Sequence, residues 1–205
     1  KIVDEYKADL YIKGRVKVHK SNKLIRYIPS MFRLEKGVDD YILESVSDMH
    51  FMAPDVYDRK IRALSTTFPR DKGQIVDLTD FLNMNIYSSS IMTDKLLSPL
   101  DEKSSRYYHY LLDTVSYIHD CLHYKILILP KFKGTQLVKG YVWMNGQDFT
   151  IRETYMEGKF DMNTFKLHTV MGDSGDEFFL PVRLHLNVGF NFMGNHLEMD
   201  AGFPG

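Results

Sequence analysis

Tyr6-Lys7-Ala8-Asp9-Leu10-Tyr11-Ile12-Lys13-Gly14-Arg15-Val16-Lys17-Val18 decides the fold. Tyr6, Ala8, Leu10, Ile12, Gly14, Val16 and Val18 hold the even positions, while Lys7, Asp9, Tyr11, Lys13, Arg15, Lys17 and His19 hold the odd ones. Strict period-two alternation marks a strand with one dry and one wet face. A matching run lies near the C-terminus. There, Leu180, Val182, Leu184, Leu186, Val188, Phe190 and Phe192 alternate with Pro181, Arg183, His185, Asn187, Gly189 and Asn191. Each run covers about 13 residues, against about 5–6 for an ordinary strand. At about 3.3 Å per residue it extends roughly 40 Å. Strands that long belong to strongly coiled sheets, closed or half-closed into barrels. Gly14 and Gly189, both mid-strand, are expected to permit a bulge or sharp bend.

Further strands are expected at Tyr41–Met49 and Tyr57–Leu64, joined by Ala53-Pro54-Asp55. Others are expected at Tyr107–Tyr117, Leu122–Leu129, Leu137–Met144, Phe149–Glu157 and Thr164–Met171. Asn145-Gly146 signals a type I′ hairpin. Gly158, Gly172-Asp173-Ser174-Gly175 and Gly194-Asn195 supply other turns. Asp77 is placed to cap a helix carrying Leu78, Phe81 and Leu82, and a second short helix is expected around Leu100 to Ser105. With no internal repeat, low-complexity stretch or linker, residues 1–205 read as one domain.

Composition narrows the function classes. The 205 residues are 44% hydrophobic and 26% charged, with 26 Lys and Arg against 27 acids. There is no basic surplus for nucleic acid. Cys121 is the one cysteine, which excludes an internal disulfide framework and a cysteine-based zinc site. No apolar run approaches the roughly 18 residues of a membrane helix. A membrane-spanning barrel would turn an apolar band outward, whereas here one face of each long run is charged or polar. The sequence begins at Lys1 without a signal-like run and reads as a mature or excised domain.

Chemical motifs are sparse. Gly172-Asp173-Ser174-Gly175 spells the neighbourhood of a serine-protease nucleophile, but Asp176-Glu177 follow it and no matching histidine segment lies upstream. His119 and His123 would share a helix face as a metal pair. In a strand they stand roughly 13 Å apart, too far to share one ion. Asp48 and His50 read as strand-surface residues. Asp173, Asp176 and Glu177 fit no calcium-loop spacing. Met31, Met49, Met52, Met84 and Met92 supply soft side chains that fill cores or line permissive apolar surfaces. No phosphate loop or dinucleotide motif is present, and no cofactor, metal or catalytic residue is expected.

Two resemblances complete the reading. Tyr124-Lys125-Ile126-Leu127-Ile128-Leu129-Pro130-Lys131, Gly140-Tyr141-Val142-Trp143-Met144, Glu157-Gly158-Lys159-Phe160-Asp161 and Phe179-Leu180-Pro181-Val182-Arg183 resemble the second half of lipoprotein-carrier (LolA/LolB-like) domains. That resemblance implies a half-open antiparallel barrel with one to three short plug helices. Tyr27-Ile28-Pro29-Ser30-Met31-Phe32, Tyr41-Ile42-Leu43-Glu44-Ser45-Val46-Ser47, Asn83-Met84-Asn85-Ile86-Tyr87 and Gly194-Asn195-His196-Leu197-Glu198-Met199 resemble an uncharacterised family of Bacteroidetes outer-membrane proteins. Its members carry a carboxypeptidase-regulatory-like sandwich, a middle domain like this one and a C-terminal barrel. The resemblance implies a non-enzymatic periplasmic domain, associated with the outer membrane, whose partners are an apolar ligand or the barrel of its own chain. Leu10, Ile12, Val182, Leu184, Leu186 and Phe190 are the expected apolar lining, either as pocket or as core. An assembly module pairing through a sheet edge, and a metal-dependent hydrolase using His119 and His123, are the alternatives.

Overall fold

The computed structural model describes residues 5–23, 34–35, 37–52, 56–69, 90–91, 96–118, 120–134, 136–160, 163–172 and 181–203. Long alternating segments become long strands: β1 (Glu5–Lys20), β2 (Asp40–Met52) and β3 (Val56–Thr66). Ser90–Ile91 (β4) and Leu96–Leu97 (β5) pair with each other. The meander β6 (Tyr108–Ile118), β7 (Cys121–Pro130), β8 (Val138–Asn145), β9 (Ile151–Phe160) and β10 (Asn163–Met171) follows. β11 (Pro181–Phe192) and β12 (Asn195–Phe203) close the chain. The ten long strands form one sheet ordered β3-β2-β1-β12-β11-β10-β9-β8-β7-β6, and every pairing is antiparallel. β12 inserts beside β1, so both ends of the sequence share the middle of the sheet. Its outer strands, β3 and β6, do not pair with each other. The protein is a mainly β, half-open curved sheet.

Curvature follows from burial. One contiguous core joins Leu10, Tyr41, Tyr108, Ile128, Phe165 and Leu186, residues drawn from widely separated strands. A flat ten-stranded sheet would be roughly 45 Å wide. Coiling brings its inner face onto itself. Register shifts in β1–β12, β2–β3, β6–β7, β8–β9 and β10–β11 add the local twist. Phe68 stacks on Tyr41 at 4.8 Å, and the segment around Leu96 and Leu100 covers the inner face near β6. There the Tyr108 hydroxyl donates to the Leu97 carbonyl at 2.7 Å and accepts from the Val138 amide at 3.2 Å.

Several local expectations are corrected. Gly14 and Gly189 host no bulge, since both pair in unbroken register with two neighbours. The bulges sit instead at residues such as Asp113 and Val182. Gly158 lies inside β9 rather than in a turn, packed below the Phe165 ring. The Leu100–Ser105 helix is reduced to a 3-10 turn at Ser104–Arg106. Asp101 Oδ1 accepts the Lys103 amide at 2.8 Å, and the Ser98 hydroxyl accepts the Leu100 amide at 3.2 Å, so side chains hold turns in its place. The helix expected from Asp77 and the Ala53-Pro54-Asp55 connection lie outside the described residues.

Turn chemistry also differs. Asn145-Gly146 makes no two-residue turn. The Asn145 side chain captures the Gln147 amide at 2.8 Å, and the loop closes through Asn145 N to Thr150 O at 2.9 Å with Phe149 at φ 57°. The two-residue turn with both φ angles positive is Met193-Gly194, at 45° and 79°, beneath the pair Phe192 and Asn195. Asn195 secures it: its amide donates to Phe192 O at 3.0 Å, and its Oδ1 accepts the Asn22 amide at 2.7 Å. Two glycines permit close strand approach. A Cβ at Gly140 would stand 1.8 Å from Tyr155 O, and one at Gly202 would stand 2.0 Å from Leu184 O.

Left-handed backbone costs a side-chain-bearing residue about 1–2 kcal/mol, less for Asn. Met193→Asn is therefore expected to raise stability by about 1 kcal/mol in chemical denaturation, because the exposed Met193 side chain contributes little packing.

Candidate functional site

The sequence-named lining falls into the packed part of the inner face. Leu10, Ile12, Leu184, Leu186 and Phe190 are all buried in the main core. Val182 is the unpaired residue between the pairs Val170–Arg183 and Met171–Pro181, and it is half-buried. These positions cluster on β1 and β11, near the middle of the sheet.

The inner face opens at its other end. Cross-strand pairing places Leu112, Val115 and Tyr117 of β6 beside Ile126, Tyr124 and Leu122 of β7. Ile126 pairs with buried Val142, and Tyr124 pairs with Met144. Leu112 is 61% exposed and Tyr117 76% exposed, while Leu122, Tyr124, Ile126 and Met144 are half-buried. An apolar strip thus runs from the open edge of the sheet toward its core.

One row crosses from that strip into the interior: Leu112, Ile126, Val142, Thr154, Thr169 and Leu184 are successive register partners. Thr154 and Thr169 are 0% and 1% exposed, and their hydroxyls have no hydrogen-bond partner among the described residues. An unsatisfied buried hydroxyl costs about 1–3 kcal/mol.

The outer face is polar and internally compensated. Lys125 Nζ lies 4.6 Å from the centre of the Tyr141 ring and 3.6 Å from Asp113. The Tyr141 hydroxyl donates to Glu153 Oε1 at 2.8 Å, and His168 Nε2 reaches the same oxygen at 2.9 Å. Burial, then the Glu153 carboxylate, pushes the Tyr141 phenol up to about 12. Lys139 and the Tyr155 hydroxyl hold the Glu157 carboxyl below its usual range. A shallow depression of about 380 Å³ surrounds Gly202, edged by Lys13, Arg15, Arg183, His185 and Asp200. Lys13 meets Glu44 at 3.4 Å, Arg15 pairs with Asp40, and His185 meets Asp200 at 3.4 Å. Three of its four basic side chains thus already face acids.

Among the described residues the weaker motifs do not assemble a centre. His123 lies on β7 with Nδ1 3.0 Å from Cys121 O, and His119 is outside the described residues. Asp48 meets Arg62 at 3.0 Å and His50 meets Glu5 at 2.6 Å, both on the strand surface as expected. Asp173, Ser174, Asp176 and Glu177 are outside the described residues, as are Met31, Met84 and Met92. Met49 packs against the core, and Met52 is exposed. Among the described residues no group of three or more His, Cys, Asp or Glu converges on a metal-sized point.

Residues 1–201 match the model of a family of unknown function, DUF5686. The chain belongs to that family. No functionally curated protein matches this DUF5686 chain. Among solved structures it is similar to a LolA superfamily protein from Nitrosomonas europaea, at 12% identity and a TM-score of 0.26. It is also similar to a domain named for outer-membrane lipoprotein sorting from Vibrio parahaemolyticus, at 10% identity and a TM-score of 0.29. Each alignment covers 94% of the DUF5686 chain and 83% of the other. Scores this low carry no structural argument, so the fold rests on the chain's own strand order. No helix among the described residues is long and apolar enough to cross a membrane.

Two outcomes follow. Thr154→Val combined with Thr169→Val is expected to raise the denaturation midpoint, adding about 1 kcal/mol or more, because it removes two buried hydroxyls without a partner among the described residues at nearly constant shape. A lowered midpoint would show that the hydroxyls are satisfied in solution. Tyr141 keeps its proton beyond the ordinary tyrosine range, so its share of stability is whole below about 10 and is lost as pH rises through about 12. Glu153→Gln is expected to lower the Tyr141 value in an ultraviolet phenolate titration.

Proposed function

We propose that this DUF5686 chain is a non-catalytic cell-envelope domain that holds an apolar ligand, a lipid or lipoprotein acyl chain, or an apolar partner segment, against its curved sheet. The observation that carries this reading is the strip formed by exposed Leu112, Val115 and Tyr117 with half-buried Leu122, Tyr124 and Ile126, an open apolar part of the inner face among the described residues. Apolar surface gains about 25 cal/mol per Å² on leaving water, so such a strip recruits apolar matter. Leu10, Ile12, Leu184, Leu186 and Phe190 form the packed floor that the ligand abuts, and Val182 lies at its bulged margin. The sequence resemblance supports placing residues 1–205, as one domain, in the periplasm of a longer outer-membrane-associated chain. The barrel of that chain is its further proposed partner.

Titration with anthroyloxy-labelled palmitate tests the reading. Saturable binding is expected, weakened at least about tenfold by Leu122→Asp or Tyr124→Ser with the fold intact, since one large apolar contact is worth about 1.5–3 kcal/mol. Absence of saturable binding to the unaltered chain, both of this probe and of apolar peptides, would reject it.

A further inference from the structure

A ligand on the inner face leaves part of β6 unexplained. Leu111 and Ile118 point to the opposite face and are also exposed. Among the described residues β6 is moreover a terminal strand, with β7 on one side and no strand on the other. Its free side offers a row of unpaired amides and carbonyls. Another strand satisfies such a backbone edge and sets its own side chains beside those of both faces.

The other sheet edge is guarded. β3 carries Asp58, Arg59, Lys60 and Arg62, and Arg62 bridges Asp9 at 2.8 Å and Asp48 at 3.0 Å. Charged edge strands resist pairing. β6 carries His109 and Asp113 as its titratable groups besides tyrosines, and Lys125 already neutralises Asp113.

We propose that β6 pairs with β6 of a second copy of this chain, antiparallel, about a two-fold axis between Asp113 and Thr114. The bulge makes this register self-complementary. Asp113 and Thr114 both face outward, so the inward positions are Tyr110, Leu112, Val115 and Tyr117. The axis sets Leu112 opposite Val115 and Tyr110 opposite Tyr117 on the inner face. It sets Leu111 opposite Ser116 and His109 opposite Ile118 on the outer face. Every residue meets one from its own face. A two-fold contact of identical edges closes on itself, and the guarded β3 edge stops further growth.

The area suffices. At about 150–200 Å² for a large side chain, the exposed parts of Tyr110, Leu111, Leu112, Val115, Tyr117 and Ile118 amount to roughly 500 Å² per copy. Over two copies that is on the order of 1,000 Å² of apolar surface available to the contact, an upper limit near the threshold of a specific interface. The dimer does not depend on lipid binding.

Light scattering across the micromolar range measures the mass of the unaltered chain. The expected mass is twice that of one chain, halved by Leu112→Lys with Val115→Lys while the circular dichroism is unchanged. In a Cys121→Ser background, Leu111→Cys with Ser116→Cys is expected to give a covalent dimer on oxidation, because paired strand positions lie within disulfide range. Leu111→Cys alone is expected not to cross-link. A monomeric unaltered chain, a ladder of larger species, a dimer that survives both lysines, or cross-linking that ignores register would overturn the proposal. So would a monomer that pairs only with an added extended peptide.

Discussion

Among the described residues the ten-stranded sheet has only the short β4–β5 pair as a second sheet, far too small to cover its apolar face, and that constraint shapes everything else. A sheet with one apolar face buries that face by coiling around it or by borrowing a cover. This chain does both. Bulges in five strand pairs supply the coil, while Phe68, Leu96 and Leu100 supply part of the cover. The cover is strongest near Tyr108, whose hydroxyl ties the β5 region to β8, and it gives out toward Tyr117.

The outer face solves a different problem. Its charges are arranged in pairs across neighbouring strands, from Asp113 with Lys125 to Arg15 with Asp40. Exposed pairs of this kind contribute at most about 1 kcal/mol each. Their effect is selective: they keep much of the convex surface polar, although Tyr11 and Ile42 are exposed there among the charges.

Much of this architecture is legible in the sequence. Alternation in 6–18 and 180–192 gives both long strands and the correct inward residues, Leu10, Ile12, Leu184 and Leu186 among them. Turn positions are less legible because they depend on competition. Asn145-Gly146 has the right letters, but the Asn145 side chain finds a better partner in the Gln147 amide, whereas Met193 accepts left-handed backbone because Asn195 and Asn22 hold the hairpin tip. The open strip is not legible at all. Tyr108–Ile118 reads like any other strand, and nothing within those residues states that the sheet ends there. Exposure at β6 comes from strand order, which a linear pattern does not encode.

Gly140 and Gly202 mark the opposite extreme. At both, the backbone of the next strand occupies the space of a Cβ. No substitution can be accommodated by turning a side chain aside, since the obstructing atoms are main-chain carbonyls. Variation among family members should therefore be scarcest along the β8–β9 and β11–β12 seams, where chemistry at the site plays no part, so an invariant glycine there reports how closely two strands approach and carries no message about function.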